Sequence, residues 1–166
     1  MPAREVIIVP HPTLRKKAAP VTDFGAETQQ LIEDMIITLH EESGAGLAAP
    51  QVNVSQQVIL VEFGSEEDET LPPTLYVTLN PKITRFSTET VSGAEGCLSI
   101  PGLMGEVERA QEIVVEGQDR HGEPVKMKLR GWAARIFQHE IDHLNGILYT
   151  DRTTNVWETD EDYNPV

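Results

Sequence analysis

Hydrophobic and polar positions along the chain predict several strands and two helices. A short apolar run at Glu5–Val9 is typical of a strand. Apolar residues then recur at helical spacing from about Ala26 to Glu42, which predicts an amphipathic helix. The next segment, Ser43–Gln51, contains two glycines and a proline, and these residues should end that helix.

The middle of the chain has the pattern of β-structure. Gln57–Phe63 is a nearly continuous apolar run, and apolar side chains alternate with others from Leu75 to Leu79. Glu112–Asp119 and Pro124–Arg130 flank the turn sequence Arg120-His121-Gly122, which predicts a hairpin.

A second helix is predicted to begin just after Gly131 and to continue through His143. Asn145-Gly146 should end it, since glycine readily adopts the left-handed capping conformation. A late helix beside antiparallel strands indicates the α+β class. We expect one domain over residues 1–166, with antiparallel or mixed sheets around a central helix that bears the H-E-x-x-H motif described below. Residues from about 153 to 166 are acidic and should form a loosely ordered tail.

Composition narrows the function classes. The net charge of −14 argues against binding to nucleic-acid backbones or anionic membranes, because both would repel such a surface. No apolar run is long enough to cross a bilayer, and no secretory signal is present, so a cytoplasmic protein of bacterial type is expected. An organelle protein without its transit peptide would have the same features.

The late helix contains the motif with the most specific chemistry, His139-Glu140-Ile141-Asp142-His143. Residues four apart lie one turn above each other, so both imidazoles can reach one ion. Glu140 can point at a water held by that ion, and the H-E-x-x-H pattern is a known zinc signature. Two surface histidines on an ordinary helix are the alternative.

A catalytic metal usually takes three protein ligands and leaves one position for water. Downstream of His143, Asp151 and Glu158 are conceivable ligands, but only 23 residues follow the motif. Upstream lies the chain's one cysteine, Cys97, in the sequence Glu95–Ser99. A lone cysteine is often a small buried hydrophobe, but beside two candidate histidine ligands a thiolate ligand is favoured.

Three separated segments resemble the signature motifs of the peptide deformylase family, in the same order and at similar spacing. They are Gly44–Gln51, Glu95–Ser99 and Gln138–His143. The likeness extends from His11–Arg15 to about Arg152 and so covers nearly the whole chain. By itself, the first segment would indicate only a loop that ends a helix.

The resemblance implies an enzyme that removes the formyl group from the initiator formyl-methionine of new polypeptides and releases formate. The implied metal ligands are Cys97, His139 and His143. A water on the metal would attack the formyl carbon, with Glu140 as general acid and base. The Gln51 amide and the Leu98 backbone N–H would stabilise the charge on the formyl oxygen. Ferrous iron is the implied metal, and zinc, nickel or cobalt could also occupy the site.

Substrate contacts follow from the same resemblance and from helical spacing. Gly44 and Gly46 would meet the formyl-methionyl group. Trp132 and Ile136 share the His139 face of the helix, and for them a methionine pocket and ordinary core packing are equally good interpretations. The resemblance also implies supporting contacts outside the substrate site. An ion pair between Glu95 and Arg109 would support the cysteine loop.

Two departures from the family pattern affect the expected partners. Many bacterial members carry a peptide-binding arginine after the cysteine motif, and Pro101–Gly105 contains none. The acidic tail should not dock on a ribosome, and a monomer is expected. A zinc peptidase with a downstream third ligand and a non-catalytic metal-binding module are the two rival interpretations.

Overall fold

The computed structural model describes residues 3–65, 67–159 and 166. Its two α-helices are α1 (Ala26–Glu42) and α2 (Gly131–Leu144). The strands are β1 (Gly46–Ala48), β2 (Val58–Phe63), β3 (Thr74–Phe86), β4 (Thr90–Cys97), β5 (Ile100–Ala110), β6 (Glu112–Gln118), β7 (Pro124–Arg130) and β8 (Val156–Glu158). Both predicted helices and the β6–β7 hairpin are confirmed. None of the helices described is both long and apolar enough to cross a membrane.

One sheet has five strands in the order β1-β2-β3-β6-β7, and every ladder in it is antiparallel. Its second strand, β2, is buried on both faces over residues 58–61. Val58 and Leu60 pack in the apolar cluster that contains α1, whereas Ile59 and Val61 pack in the cluster that contains α2. Residues of alternate parity on a strand point to opposite faces. The continuous apolar run in the sequence is therefore the consequence of a helix on each side of the sheet.

The second sheet has three antiparallel strands in the order β4-β5-β8. β4 and β5 form a long hairpin whose tight turn, at Leu98 and Ser99, directly follows Cys97. The hairpin lies beside α2, and the Gln138 amide fixes one contact by bonding both the N–H and the carbonyl of Ala110. This hairpin brings the cysteine motif to the helix that carries the histidines.

Helix α2 begins directly after β7 because Gly131, with φ of 61°, reverses the backbone in a conformation that favours glycine. It ends at Leu144, and the chain then turns away at Gly146, where φ is 73° and a Cβ would lie 2.5 Å from the carbonyl oxygen of Arg15. Nearly every residue of α2 is buried. The motif histidines are therefore interior groups and not the surface pair of the alternative interpretation.

Three expectations need correction. Glu5–Val9 forms no strand; instead, the Ile7 N–H donates to the Gln51 carbonyl and the Val9 N–H donates to the Ser99 carbonyl. The α+β class with antiparallel sheets is confirmed, but sheets around a central helix are not: α2 is the later of the two helices, and α1 covers the opposite face of the five-stranded sheet.

The third correction concerns the C-terminal segment. Residues 156–158 depart from the expected loose tail because their backbone pairs with β5, for example at Met104 and Trp157. Residues 160–165 of the predicted tail lie outside the described residues. Val166 is buried, and its N–H donates to the carbonyl of Gly96 at 2.9 Å.

Candidate active site

Cys97, His139 and His143 converge in the interior although they come from two different elements. Cys97 ends β4, and the two histidines lie one turn apart on α2. One ligand atom from each residue lies within 4.8 Å of the other two, and Cys97 Sγ is 3.4 Å from His143 Nε2. All three side chains are buried. The structure thus brings together the three residues that the sequence predicts to be metal ligands.

The polar atoms around this cluster fit a bound cation. His139 Nε2, His143 Nδ1 and both carboxylate oxygens of Glu140 are buried and have no hydrogen-bond partner within the described part of the chain. Such groups are costly to bury unless a ligand satisfies them. His139 Nδ1 lies 2.9 Å from Glu95 Oε1, which leaves Nε2 available to an ion. One thiolate and two imidazoles suit a borderline divalent metal.

The charges of the site are tuned by burial. Burial and the nearby Glu140 raise the pKa of the Cys97 thiol, although N–H groups of the following turn oppose the shift. Burial, followed by the charge of Glu95, raises the pKa of Glu140 well above the ordinary carboxyl value. Burial, followed by His139, lowers the pKa of His143 well below its usual value. Without a cation the site favours neutral side chains, so metal binding should release protons.

Behind the ligands lies a buried carboxylate, Glu95, that accepts four hydrogen bonds. Arg109 donates two of them, at 2.8 and 2.9 Å, Arg135 donates one at 2.6 Å, and His139 lies at 2.9 Å. Burial acts to raise the pKa of Glu95, but the bonds from Arg109 and His139 hold it well below the ordinary value. The Glu95–Arg109 ion pair implied by the resemblance is confirmed, and it extends to a metal-ligand candidate.

Asp142 and Arg152 also belong to this network, and the sequence predicted neither as a member. Arg109 also donates to Asp142 at 2.7 Å, and Arg152 donates to both oxygens of Asp142 at 2.6 and 2.8 Å. Asp142 lies inside the helical motif, three residues after His139. An acidic residue on the inward face of a helix needs a basic partner, so the sequence did contain a signal for this contact. Arg152 carried no signal, because it lies in a turn beyond the helix.

The glycine motif packs directly against the other two motifs. A Cβ at Gly46 would lie 2.4 Å from Glu140 Oε2, and a Cβ at Gly44 would lie 3.1 Å from Leu98 Cδ1. Because neither position has a side chain, Glu140 can approach the backbone of β1 at Gly46, and Leu98 can approach the preceding loop at Gly44. The three separated segments meet at one place.

Gln51 follows in the same motif, on a short helical turn after β1. Its Oε1 accepts a hydrogen bond from the Ala48 N–H at 3.0 Å, which fixes the orientation of the amide. Its Nε2 then points at Ser99 Oγ, 3.2 Å away, and at Cys97 Sγ, 3.6 Å away. The amide N–H groups face the candidate metal cluster from the side of the thiolate.

The remaining candidates are the two proposed pocket residues and the two acidic residues downstream of the motif. Trp132 is 42% exposed and lines a groove of about 650 Å³, whereas Ile136 is fully buried in the apolar cluster of α2. Asp151 caps the Leu148 N–H and pairs with Arg15, and Glu158 lies on the surface strand β8. Neither acidic residue belongs to the Cys–His–His cluster, so the third-ligand position proposed for a zinc peptidase is not supplied by them.

An α+β domain with a buried Cys–His–His cluster and an adjacent buried carboxylate has the site of a single-metal hydrolase.

Residues 3–158 match the family model described as polypeptide deformylase. The chain is 46% identical over 158 residues to the peptide deformylase of Symbiobacterium thermophilum, covering 95% of this chain and 70% of that one. It is 48% identical over 150 residues to the peptide deformylase of Thermus thermophilus, covering 85% and 77%.

A solved structure agrees with these sequence matches. The Met-Ala-Ser-bound class I type b peptide deformylase from Acinetobacter baumannii superimposes with a TM-score of 0.84 at 39% identity, covering 91% of this chain and 98% of that one. The chain therefore belongs to the polypeptide deformylase family. It is a metal-dependent hydrolase that removes the formyl group from N-formyl-methionine at the start of new polypeptides.

Proposed function

We propose that this chain carries out deformylation at the cluster of Cys97, His139 and His143, with Glu140 as the group that moves the proton. The observation that supports the proposal most strongly is the convergence of three buried ligand atoms within 4.8 Å of one another. Beside them, both oxygens of Glu140 have no hydrogen-bond partner within the described residues. A buried carboxylate in that state is available to a water and to a substrate nitrogen.

Cys97 Sγ and one nitrogen of each histidine would hold one divalent ion, and the Glu95 carboxylate would orient His139. When bound, such an ion acts as a Lewis acid and lowers the pKa of water toward neutrality. We propose ferrous iron as the native ion from the family resemblance, with zinc, nickel or cobalt as possible occupants. Thiolate and imidazole ligands are compatible with all four.

Glu140 would accept a proton from the attacking water at a carboxylate oxygen and later deliver it to the departing amine nitrogen. The bond between the formyl carbon and that nitrogen breaks, and formate and a free methionyl amine leave. Burial and the charge of Glu95 raise the pKa of Glu140, which suits a group that must hold the transferred proton, and a cation bound beside it would favour the ionised form that accepts that proton. Gly46 leaves space for this carboxylate against β1.

Negative charge develops on the formyl oxygen during the attack, and N–H groups near the cluster would stabilise it. We assign this role to the side-chain amide of Gln51 and the backbone N–H of Leu98. The amide already points toward Cys97 Sγ because Ala48 holds its oxygen. Removal of one such donor typically costs two to three orders of magnitude in turnover.

The methionyl group would bind between β1 and the start of α2. Gly44 and Gly46 would offer backbone without side chains, Ile136 would form the apolar floor, and Trp132 would form an outer wall. The natural partners are N-formyl-methionyl nascent peptides. Since Pro101–Gly105 contains no arginine, we expect weaker binding of the peptide beyond methionine, with hydrolysis itself retained.

The test is anaerobic turnover of a formyl-Met-Ala-Ser peptide by ferrous- or nickel-loaded protein, with formate as the readout and metal content measured in parallel. Glu140→Gln should keep its metal and lose about 10²- to 10⁴-fold in turnover. Cys97→Ala should lose both metal and turnover. Glu106→Gln, on the exposed side of β5, is the matched control and should behave as the parent.

Two results would contradict the proposal. One is a fully metal-loaded parent that releases no formate. The other is a Glu140→Gln variant with parental turnover, which would mean that another group moves the proton. An unformylated Met-Ala-Ser peptide, incubated in the same way, should remain uncleaved; cleavage would favour the peptidase interpretation.

A further inference from the structure

The guanidinium of Arg135 joins α2 to both strands of the β4–β5 hairpin. Its Nη1 donates to the Val107 carbonyl of β5 at 2.9 Å and to the Glu95 carboxylate of β4 at 2.6 Å. Its Nη2 donates to the Val91 carbonyl of β4 at 2.8 Å. The residue is only 5% exposed, so these bonds are formed away from water. Nη1 also donates to the Gly93 carbonyl at 3.5 Å, so one side chain holds four points on two strands.

The guanidinium lies flat against β4 at Gly93. A Cβ at this glycine would be 3.0 Å from Cζ of Arg135 and 3.1 Å from both Nε and Nη2. The backbone of Gly93 is not in the left-handed region, so any residue could adopt its conformation. Glycine is needed here for the space that the guanidinium occupies.

This contact lies between the two elements that supply the candidate metal ligands. Cys97 is on the hairpin, and its apolar neighbours form a cluster with Val107 and Tyr149. Ile136 and Phe137 of α2 belong to a different apolar cluster, which the hairpin joins through Ala110 at the end of β5, away from Cys97. Near the ligands, the hairpin and the helix are thus joined by hydrogen bonds to buried charges rather than by one continuous apolar core. Hydrogen bonds fix direction and distance more tightly than apolar contacts do.

We propose that Arg135, seated on Gly93, is a positioning residue that sets the distance between Cys97 Sγ and the imidazoles of His139 and His143. The inference rests on the proposed metal site. The planar fork of arginine reaches acceptors on both strands at once, whereas the single ammonium of lysine cannot. If the link is loosened, the hairpin can move relative to α2, and the three ligand atoms no longer meet at one ion.

The test measures binding of Co²⁺ alone, without substrate, by competition with a coloured chelator under anaerobic conditions. Arg135→Lys removes the fork, and Gly93→Ala displaces it while every polar group is retained. Both should weaken Co²⁺ binding by about 10- to 100-fold, the usual effect of losing a group that orients a ligand. Both should also reduce the near-ultraviolet absorption from the cobalt–thiolate bond. Because the two changes disturb one contact, the double variant should lose less than the product of the single effects.

Arg120→Lys is the matched control, since Arg120 pairs with Glu33 at the surface, on the turn between β6 and β7. It should keep the Co²⁺ affinity and the spectrum of the parent. Parental affinity and absorption in folded Arg135→Lys and Gly93→Ala would overturn the proposal, and Arg135 would then only stabilise the fold. If Arg135→Lys does not fold, Gly93→Ala decides the question alone. A parent that binds Co²⁺ in this Arg135-dependent way but releases no formate would contradict the proposed function and support the positioning role.

Discussion

The buried carboxylate of Glu95 gives the most demanding prediction, because one isosteric change, Glu95→Gln, tests the whole charge network. Each oxygen of Glu95 accepts two hydrogen bonds: Oε1 from Arg109 and His139, and Oε2 from Arg109 and Arg135. Glutamine keeps one acceptor oxygen and places N–H groups opposite the other pair of donors. Among the residues that the structure describes, it also leaves Asp142 as the one buried anion in contact with Arg109.

Breaking a buried ion pair by removing one partner typically costs about 3–5 kcal/mol. We expect a loss of that size in the free energy of unfolding at pH 7, which corresponds to a decrease in Tm of roughly 6–20 °C in a chain of this size. Urea unfolding in the presence of a chelator measures the loss without a contribution from bound metal. Glu106→Gln, exposed on β5, should lie within about 0.5 kcal/mol of the parent.

The pH dependence supplies a second check on the same variant. The pKa of Glu95 is lower in the folded chain than in the unfolded chain, where it is about 4.3. Its contribution to stability is therefore complete above that pH and is lost as the pH falls further toward the folded pKa. The difference between the parent and Glu95→Gln should shrink below about pH 4. A difference under 1 kcal/mol at pH 7, with an unchanged denaturant slope, would refute the network as a major source of stability.

Three further predictions concern other parts of the molecule. Gly46→Ala would place a Cβ 2.4 Å from Glu140 Oε2, so turnover should fall at least about tenfold while metal content, measured in parallel, stays at the parental level. Arg15→Gln should cost at most about 1 kcal/mol in urea unfolding, because the pair with Asp151 is half-exposed. The hydrogen bond from Arg15 lowers the pKa of Asp151, so this cost should be fully present above about pH 4 and should decrease as the pH falls below that value toward the folded pKa; a cost that does not decrease at acid pH would contradict the assignment. As a chelator lowers the free metal concentration, Tm should fall in proportion to the logarithm of that concentration. Cys97→Ala should show no such change in Tm.

Much of the fold could be predicted from the sequence because the spacing of apolar residues indicates which side of a helix or strand is buried. The 3.6-residue spacing of apolar side chains gave α1 its observed bounds of Ala26 and Glu42. The turn Arg120-His121-Gly122 between two runs of strand-forming residues gave the β6–β7 hairpin. The His139–His143 motif gave the helix and its inward face, because two ligands four residues apart can serve one ion only from the same side of a helix.

The pattern failed where tertiary contacts provide the stability. Glu5–Val9 has the residues of a strand, yet its backbone bonds to two separate segments and joins no sheet. The sequence of β4, Thr90–Cys97, contains two glycines and a buried glutamate, so it has no alternating apolar pattern that would predict a strand. Its long pairing with β5 and the guanidinium of Arg135 stabilise it instead. Val156–Glu158 is a strand only because the edge of β5 is available to pair with it.

For the site, the sequence by itself determined which residue types are present: one cysteine, two histidines at helical spacing and a glutamate between them. The tertiary structure decided that Cys97 reaches His143 across 46 residues of chain, since no local spacing relates a hairpin to a later helix. It also decided that Glu95 accepts from two arginines and a histidine, and that Asp142 and Arg152 extend this network. Buried charges are stable only with partners, and those partners come from distant elements that no local pattern connects.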